Sequence, residues 1–124
     1  MIKNKIVLIE DDLVQGNLIA EELIRSDFDV LRAADGRAGL AMVLREHPDL
    51  IILDIILPIM DGITMLKELR KDIWGGKAKV IILTNLNDQD KIAEALENQT
   101  FDYLVKTDWS LEDLVKRIKS KLEQ

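Results

Sequence analysis

Short apolar runs, separated by longer segments with helical periodicity, dominate the pattern of the chain. Four of these runs are continuous rather than alternating, as expected of strands that are buried on both faces of a sheet. They cover residues 6–9, 50–53, 80–83 and 103–105. A fifth run, over residues 28–32, has the mixed character of an edge strand. The pattern therefore predicts five strands.

The segments that follow these runs place apolar residues at helical spacing. The clearest stripe lies near the C-terminus and consists of Leu111, Leu114, Val115, Ile118 and Leu122. Ser110, directly before this stripe, and Asp113, three positions later, have the spacing of a capping box. Shorter stripes cover residues 63–73 and 92–96. Helix starts are expected at Asp35, Asp61 and Asn87, and helix ends at Pro48 and at the pair Gly75 and Gly76.

Strand and helix alternate five times without a linker or an internal repeat, which predicts one α/β domain over residues 1–124. Such alternation favours a parallel sheet with right-handed crossovers and helices on both faces. For five strands the common doubly wound order is 2-1-3-4-5, the flavodoxin-like (βα)5 architecture. Ligands in this architecture bind at the carboxyl ends of the strands, between the first and the third, where the winding reverses.

Charge and composition narrow the classes of partner. The 124 residues include 17 basic and 23 acidic side chains, and the net charge of −6 opposes unspecific attraction to nucleic acid or anionic membranes. No apolar stretch approaches the roughly 20 residues of a membrane-spanning helix. The chain has no cysteine, which excludes disulfides and thiolate metal sites. We therefore expect a cytoplasmic protein that contacts neither nucleic acid nor membrane directly.

Polar and charged residues follow four of the predicted strands, at the edge where ligands are expected. They are Glu10, Asp11 and Asp12 after the first strand, Asp54 after the third, Thr84 after the fourth and Lys106 after the fifth. Crowded carboxylates without histidine or cysteine suit a hard cation such as Mg²⁺ or Mn²⁺. A nearby ammonium and hydroxyl suit the oxygens of a transferring phosphoryl group, for which a carboxylate is a suitable acceptor.

Each of these residues also has a purely structural interpretation. An acidic residue after a strand commonly caps the next helix, and Asp11 or Asp12 would do so for a helix that begins near Leu13. Lys106 alone would be a solvated surface lysine. The convergence of four strand ends favours the phosphoryl-transfer interpretation over several independent structural ones.

These motifs resemble those of response-regulator receiver domains of two-component signalling, including the chemotaxis-regulator type. The similarity covers essentially the whole chain, and it lies in VLIEDD at 7–12, DIILPIMDG at 54–62, ILT at 82–84 and YLVK at 103–106. The second motif is the most specific, because it combines an aspartate, a proline four positions later and Asp-Gly at the end of a buried strand.

The resemblance implies a phosphoacceptor that promotes its own phosphorylation and dephosphorylation and is not otherwise an enzyme. Asp54 would receive the phosphoryl group from a histidine kinase or a phosphotransfer protein. Thr84 and Lys106 would bind the phosphoryl oxygens.

The resemblance also implies a metal site for Mg²⁺ or Mn²⁺. Asp11 and Asp54 would be direct ligands, together with the backbone carbonyl of Ile56, and Glu10 would act mostly through water. Asp12 falls outside the acidic pair and is expected to be a helix cap.

A conformational switch is the third implication. Tyr103 would turn inward when Thr84 moves toward the phosphate, and the face made by the fourth helix, fifth strand and fifth helix would change for a downstream protein. Phosphorylation-dependent dimerisation is left open. The alternative is that Tyr103 is an ordinary half-buried strand aromatic.

The chain departs from the family pattern at two positions. Thr107 follows Lys106 where proline is usual, so the Lys106–Thr107 peptide is expected to be either trans in a rearranged loop or strained and cis. Asn85 follows Thr84 where a small residue is commoner. Its larger side chain is expected to narrow the space through which Thr84 and Tyr103 move.

Two apolar residues are expected to flank the phosphoryl group. Ile56 and Leu86 lie two positions after Asp54 and Thr84, and neither can position an attacking water. We therefore expect slow self-dephosphorylation.

Three other functions fit these residues less well. A small Mg²⁺-dependent phosphatase with an aspartyl nucleophile typically has a second aspartate two positions later, where this chain has Ile56. A nucleotide-binding flavodoxin-like or Rossmann-like module is disfavoured because no glycine-rich turn follows the first strand. A degenerate receiver that serves only as a scaffold is disfavoured because the acidic, hydroxyl and ammonium residues are retained.

Overall fold

The computed structural model describes residues 2–84, 102–105 and 110–124, with the backbone alone at 84 and 102–105. Five strands in these residues form one parallel sheet with the order β2-β1-β3-β4-β5. The strands are β1 Lys5–Ile9, β2 Asp29–Ala33, β3 Leu50–Asp54, β4 Val80–Thr84 and β5 Asp102–Val105. This is the strand order that the sequence predicts.

Four helices and one short turn of 3-10 helix connect or follow the described strands. The helices are α1 Leu13–Arg25, α2 Gly36–Glu46, α3 Gly62–Lys71 and α4 Leu111–Leu122, and the turn is Gly75–Lys77. Helix α4 is the fifth helix of the prediction. The fourth predicted helix, with Asn87 as its expected cap, lies outside the described residues. No helix in the described part of the chain has both the length and the apolar character needed to cross a bilayer.

The sheet separates two apolar cores. Successive side chains of a strand point to opposite faces, so Val7 and Ile9 join the core under α2 and α3. Ile6 and Leu8 join the core under α1 and α4. All five residues of β3 are buried. The continuous apolar runs of the sequence thus correspond to burial on both faces.

The register of the strands brings two acidic residues to the same edge. Ile9 at the end of β1 lies opposite Leu53 of β3, so the next residues, Glu10 and Asp54, are neighbours at the carboxyl edge. The backbone N–H of Glu10 donates to the carbonyl of Ala33 at 3.1 Å. This hydrogen bond extends the β1–β2 ladder by one residue and fixes the backbone at Glu10.

Side-chain caps define the helix starts, as predicted for Asp35, Asp61 and Ser110. The first two carboxylates accept the N–H groups of Ala38 at 2.7 Å and Thr64 at 2.9 Å. Ser110 and Asp113 form the predicted capping box, with both hydrogen bonds at 3.1 Å. Such a cap typically contributes about 1 kcal/mol to helix stability.

The predicted end of the third helix is wrong. Helix α3 ends at Lys71, and Ile73, expected on its apolar stripe, is 99% exposed. The carboxylate of Asp72 accepts the N–H of Gly75 at 2.8 Å. An aspartate that bonds to a nearby backbone N–H competes with continued helix formation, so the chain turns before it reaches the two glycines.

The end of α4 is held by a lysine from another element. The ammonium of Lys79, directly before β4, donates to the carbonyls of Leu122 at 3.3 Å and Gln124 at 2.8 Å. A cation near the last carbonyls of a helix is favourable because it opposes the negative end of the helix dipole.

Candidate functional site

Three carboxylates meet at the carboxyl edge of β1 and β3. One oxygen each from Glu10, Asp11 and Asp54 can be chosen so that all three lie within 4.8 Å of one another. Glu10 and Asp54 are buried, with 5% and 7% exposure, whereas Asp11 is exposed. The structure therefore brings together the three acidic residues that the sequence assigned to one site.

Backbone N–H groups orient the two buried carboxylates. Glu10 Oε1 accepts the N–H of Asp12 at 3.1 Å. Asp54 Oδ1 accepts the N–H of Ile56 at 3.2 Å. Both bonds come from residues two positions later in the chain, so the turns after β1 and β3 aim the carboxylates.

Asp12 has a different position from its two acidic neighbours. Its carboxylate accepts the N–H of Gln15 at 3.0 Å and caps α1. Asp12 does not belong to the acidic cluster, and its predicted role as a helix cap is confirmed.

The loop after β3 is closed by tight backbone contacts. The N–H of Gly62 donates to the carbonyl of Ile55 at 2.8 Å, and a Cβ at Gly62 would lie 2.3 Å from the carbonyl oxygen of Asp54. A Cβ at Gly36 would lie 1.9 Å from the carbonyl oxygen of Met60. Only glycine fits at these two positions, and the loop is thereby held against both β3 and α2.

The same loop contains one unfavourable backbone conformation. Ile59 has a φ of 70°, and the N–H of Met60 donates to the carbonyl of Pro58 at 2.7 Å. This is a γ-turn with a left-handed central residue, which β-branched side chains rarely adopt. Ile59 is 73% exposed, so its side chain gains little burial within the chain. No residue type in this loop indicates such a turn.

Ile56 lies on the surface beside the acidic cluster, with 54% exposure. Its N–H contact with Asp54 places its backbone next to the candidate phosphoacceptor. That the Ile56 side chain flanks a bound phosphoryl group stays a prediction. Leu86, the second expected flanking residue, lies outside the described residues.

The remaining predicted site residues are described only in part. The backbones of Thr84 and Tyr103 belong to β4 and β5, which are adjacent in the sheet. The two side chains, as well as Lys106 and the Lys106–Thr107 peptide, lie outside the described residues. Their predicted roles therefore stay predictions.

The donor chemistry of the cluster fits a hard divalent cation. Three carboxylates at this separation repel one another in a partly buried setting, and a cation that joins them removes the repulsion. Oxygen donors without nitrogen or sulfur suit Mg²⁺ or Mn²⁺. The carbonyl of Ile56, two residues after Asp54, is a further oxygen donor in the same turn.

A basic residue that the sequence pattern does not indicate as part of the site lies beside Glu10. Arg32 of β2 donates from Nη1 to Asn17 Oδ1 at 2.5 Å, on the outer side of α1. A Cβ at Gly16 would lie 2.2 Å from Arg32 Nη2 and 3.6 Å from Glu10 Cγ. The available signal was a glycine inside an otherwise good amphipathic helix, where glycine usually has a packing or functional reason.

Comparison with known proteins identifies the family of this site. The family model of the response regulator receiver domain matches residues 6–119. The transcriptional regulatory protein RstA of Escherichia coli K12 is 40% identical over 104 residues, which cover 84% of this chain and 42% of that protein.

Two solved structures have the same fold. One is the receiver domain of the Pseudomonas aeruginosa sensor histidine kinase PA1611, which has a magnesium ion coordinated in its active site cleft. It has a TM-score of 0.90 at 26% identity, and the match covers 99% of this chain and all of that domain. The BeF3-activated receiver domain of Klebsiella pneumoniae RstA has a TM-score of 0.88 at 36% identity, over 98% of this chain and all of that domain. The chain spans about half the length of the curated relatives it matches.

Proposed function

Because this chain belongs to the response regulator receiver domain family, we propose that residues 1–124 form one receiver domain in which Asp54 accepts a phosphoryl group. Members of the family act in two-component phosphorelay signalling through an aspartate. The observation that carries the assignment is the convergence of Glu10, Asp11 and Asp54 at the switch point between β1 and β3.

Asp54 has the chemistry of a nucleophile for phosphoryl transfer. One carboxylate oxygen attacks the phosphorus of a phosphohistidine on a histidine kinase or phosphotransfer protein. The new O–P bond forms as the N–P bond breaks, and the leaving imidazole keeps the bonding electron pair. The hydrogen bond from Ile56 N–H holds the Asp54 carboxylate in one orientation during the attack, which lowers the entropy lost on reaching the transition state.

A divalent cation fits the same set of residues. Asp11, Asp54 and the carbonyl of Ile56 would bind Mg²⁺ or Mn²⁺, and Glu10 would act through water. When bound, the cation neutralises charge on the phosphoryl oxygens during transfer. The magnesium ion in the active site cleft of the Pseudomonas relative supports this assignment.

Thr84 and Lys106 complete the proposed site. Thr84 ends β4, which is adjacent to β3 in the sheet, and Lys106 directly follows β5 in the sequence. A hydroxyl and an ammonium would bind the phosphoryl oxygens and favour both phosphorylation and the later hydrolysis of the aspartyl phosphate.

The output is proposed to be a change of protein contact. Thr84 and Tyr103 would move together and alter the face that includes β5 and α4, to which a downstream protein binds. A change in self-association on phosphorylation would be read out at the same face. We place this signalling in the cytoplasm, where the phosphodonor proteins of two-component systems act.

Thermal unfolding with and without Mg²⁺ and beryllium fluoride tests the proposed site. A ligand that binds only the native state raises stability by mass action, by about 2.7 kcal/mol at a hundredfold excess over Kd. We expect Mg²⁺ to raise the melting temperature, and beryllium fluoride to raise it further only when Mg²⁺ is present.

Two aspartate variants make the test specific. Asp54→Asn should lose the beryllium fluoride response. Asp12→Asn removes the same charge nearby but keeps a good N-cap, so it should keep the response. Absence of any shift in the wild-type protein, or an equal loss in both variants, would contradict the assignment. Repeated turnover of a small phosphate ester would indicate a phosphatase instead.

A further inference from the structure

Gly16 opens a space on α1 that the guanidinium of Arg32 fills. Gly16 is buried and is the fourth residue of the helix. A Cβ there would lie 2.2 Å from Arg32 Nη2 and 3.6 Å from Glu10 Cγ. Arg32 Nη2 and Glu10 Cγ therefore both lie close to the Gly16 backbone. The distance between these two atoms cannot exceed the sum of the two distances.

The strands fix this meeting. Arg32 of β2 lies opposite Leu8 of β1, and Glu10 follows Leu8 by two positions, so its side chain points to the same face of the sheet. The hydrogen bond from Arg32 Nη1 to Asn17 Oδ1 holds the guanidinium against α1. The arginine is thus bound to the helix on one side and lies beside the acidic cluster on the other.

The presence of glycine at this point of the helix needs a reason. Glycine is disfavoured in helix interiors relative to alanine because it loses more backbone entropy on folding. Alanine at position 16 would occupy the space in which Arg32 Nη2 lies. Gly16 is therefore a weaker helix former than alanine, but it leaves space for the positive charge of Arg32 beside Glu10.

We propose that the positive charge of Arg32 lowers the affinity of the acidic cluster for its divalent cation. An arginine remains charged at all accessible pH values. Its charge offsets the repulsion among the carboxylates when no cation is bound, and it repels a cation that approaches Glu10, Asp11 and Asp54. This inference rests on the proposed function, because it assumes that the cluster binds Mg²⁺.

The test is the Mg²⁺ affinity of the full chain, measured by isothermal titration calorimetry at low ionic strength. We expect Arg32→Gln to bind Mg²⁺ about three- to tenfold more tightly than the wild-type protein, because a like charge near the site is removed. The gain should shrink in high salt, where charges are screened. In metal-free buffer the same variant should melt at a lower temperature. Arg25→Gln, at the other end of α1, changes the net charge equally and should leave the affinity unchanged.

Gly16→Ala tests the same idea without removing any charge. The added methyl group meets the far end of a flexible side chain, so the fold can accept it while the guanidinium moves away from Glu10. We expect tighter Mg²⁺ binding for this variant also. Wild-type affinity in both Arg32→Gln and Gly16→Ala, or weaker binding in Arg32→Gln, would overturn the inference and leave the proposed metal site intact. Absence of Mg²⁺ binding by the wild-type protein would overturn both.

Discussion

The imidazole of His47 stacks on the indole of Trp74, with ring centroids 4.3 Å apart and ring planes 6° from parallel. His47 is the C-cap of α2, and it has a left-handed backbone with φ of 46° and ψ of 60°. Trp74 lies between α3 and the turn at Gly75–Lys77. The contact therefore joins the two helices on one face of the sheet at their C-terminal ends.

We expect His47→Ala to lower the free energy of unfolding by about 1–2 kcal/mol, because it loses the stacking contact and keeps the left-handed backbone. His47→Gly loses the same contact but adopts a positive φ without strain. It should therefore be the less destabilised variant in urea unfolding. Equal stability of wild type and His47→Ala would show that the stack contributes nothing.

The contact between Gly36 and the loop after β3 gives a second prediction. Gly36→Ala should destabilise the fold by about 2–3 kcal/mol, because the new methyl group meets the backbone oxygen of Met60, which cannot move aside as a side chain can. It should also weaken the Mg²⁺ response, since the loop carries Ile56. Gly76→Ala is the matched control, because its nearest neighbour is 3.6 Å away. Similar losses in the two variants, measured by urea unfolding, would contradict the packing argument.

The left-handed backbone of Ile59 gives a third prediction. Ile59→Asn should raise the free energy of unfolding by about 0.5–1 kcal/mol, because asparagine tolerates this conformation better than a β-branched residue. Ile73→Asn makes the same change at a residue that is 99% exposed and has no positive φ, and it should be close to neutral. An equal stabilisation of both variants would show that replacing an exposed apolar side chain by a polar one, and not relief of backbone strain, is the cause.

The capping box of α4 gives a prediction on pH. The backbone N–H and the hydroxyl of Ser110 lower the pKa of Asp113. A carboxylate with a lowered pKa stabilises the fold above its unfolded pKa, about 3.9 for aspartate, and this contribution is lost as the pH falls through the folded pKa. Asp113→Asn should therefore melt below wild type at pH 7, and the difference should shrink as the pH falls below about 4. Glu112→Gln removes a charge from the same turn and serves as the control in the pH series of melting temperatures.

The lifetime of the aspartyl phosphate tests the role of the apolar neighbours of Asp54. Replacement of Ile56 by asparagine, alone and together with Leu86→Asn, should shorten the lifetime, because a polar group can hold an attacking water. Loss of labelled phosphate from the purified phosphoprotein measures the rate. The exposed Ile73→Asn variant should keep the wild-type lifetime. An unchanged lifetime in the double variant would refute the shielding argument.

The parts of the molecule that the sequence predicted depend on signals that are local in the chain. Continuous apolar runs identify buried strands, and the alternation with helices then fixes a parallel sheet whose carboxyl ends meet. This logic brings Glu10, Asp11 and Asp54 together without any knowledge of side-chain packing. The caps at Asp35 and Asp61 are equally local, because each involves a backbone N–H three residues later.

The parts that the sequence did not predict depend on proximity or on single backbone angles. The position of Arg32 beside Glu10 depends on the register between β1 and β2 and on the absence of a side chain at Gly16. The positive φ of Ile59 has no residue signal, since isoleucine is among the least suitable residues for it. Ile73 continues a helical spacing that Asp72 interrupts through one side-chain hydrogen bond, so periodicity alone placed it wrongly.

The hydrogen bonds from Lys79 to the last carbonyls of α4 tie the C-terminal end of this helix to the residue that begins the path along β4. Lys79 directly precedes β4, and β4 ends at Thr84, next to β3 at the carboxyl edge of the sheet. Five extended residues span about 17 Å. One strand, buried in the sheet, therefore leads from the C-terminal end of α4 to that edge. A shift of β4 along its own axis would change the Lys79 bonds directly, without the rearrangement of any helix.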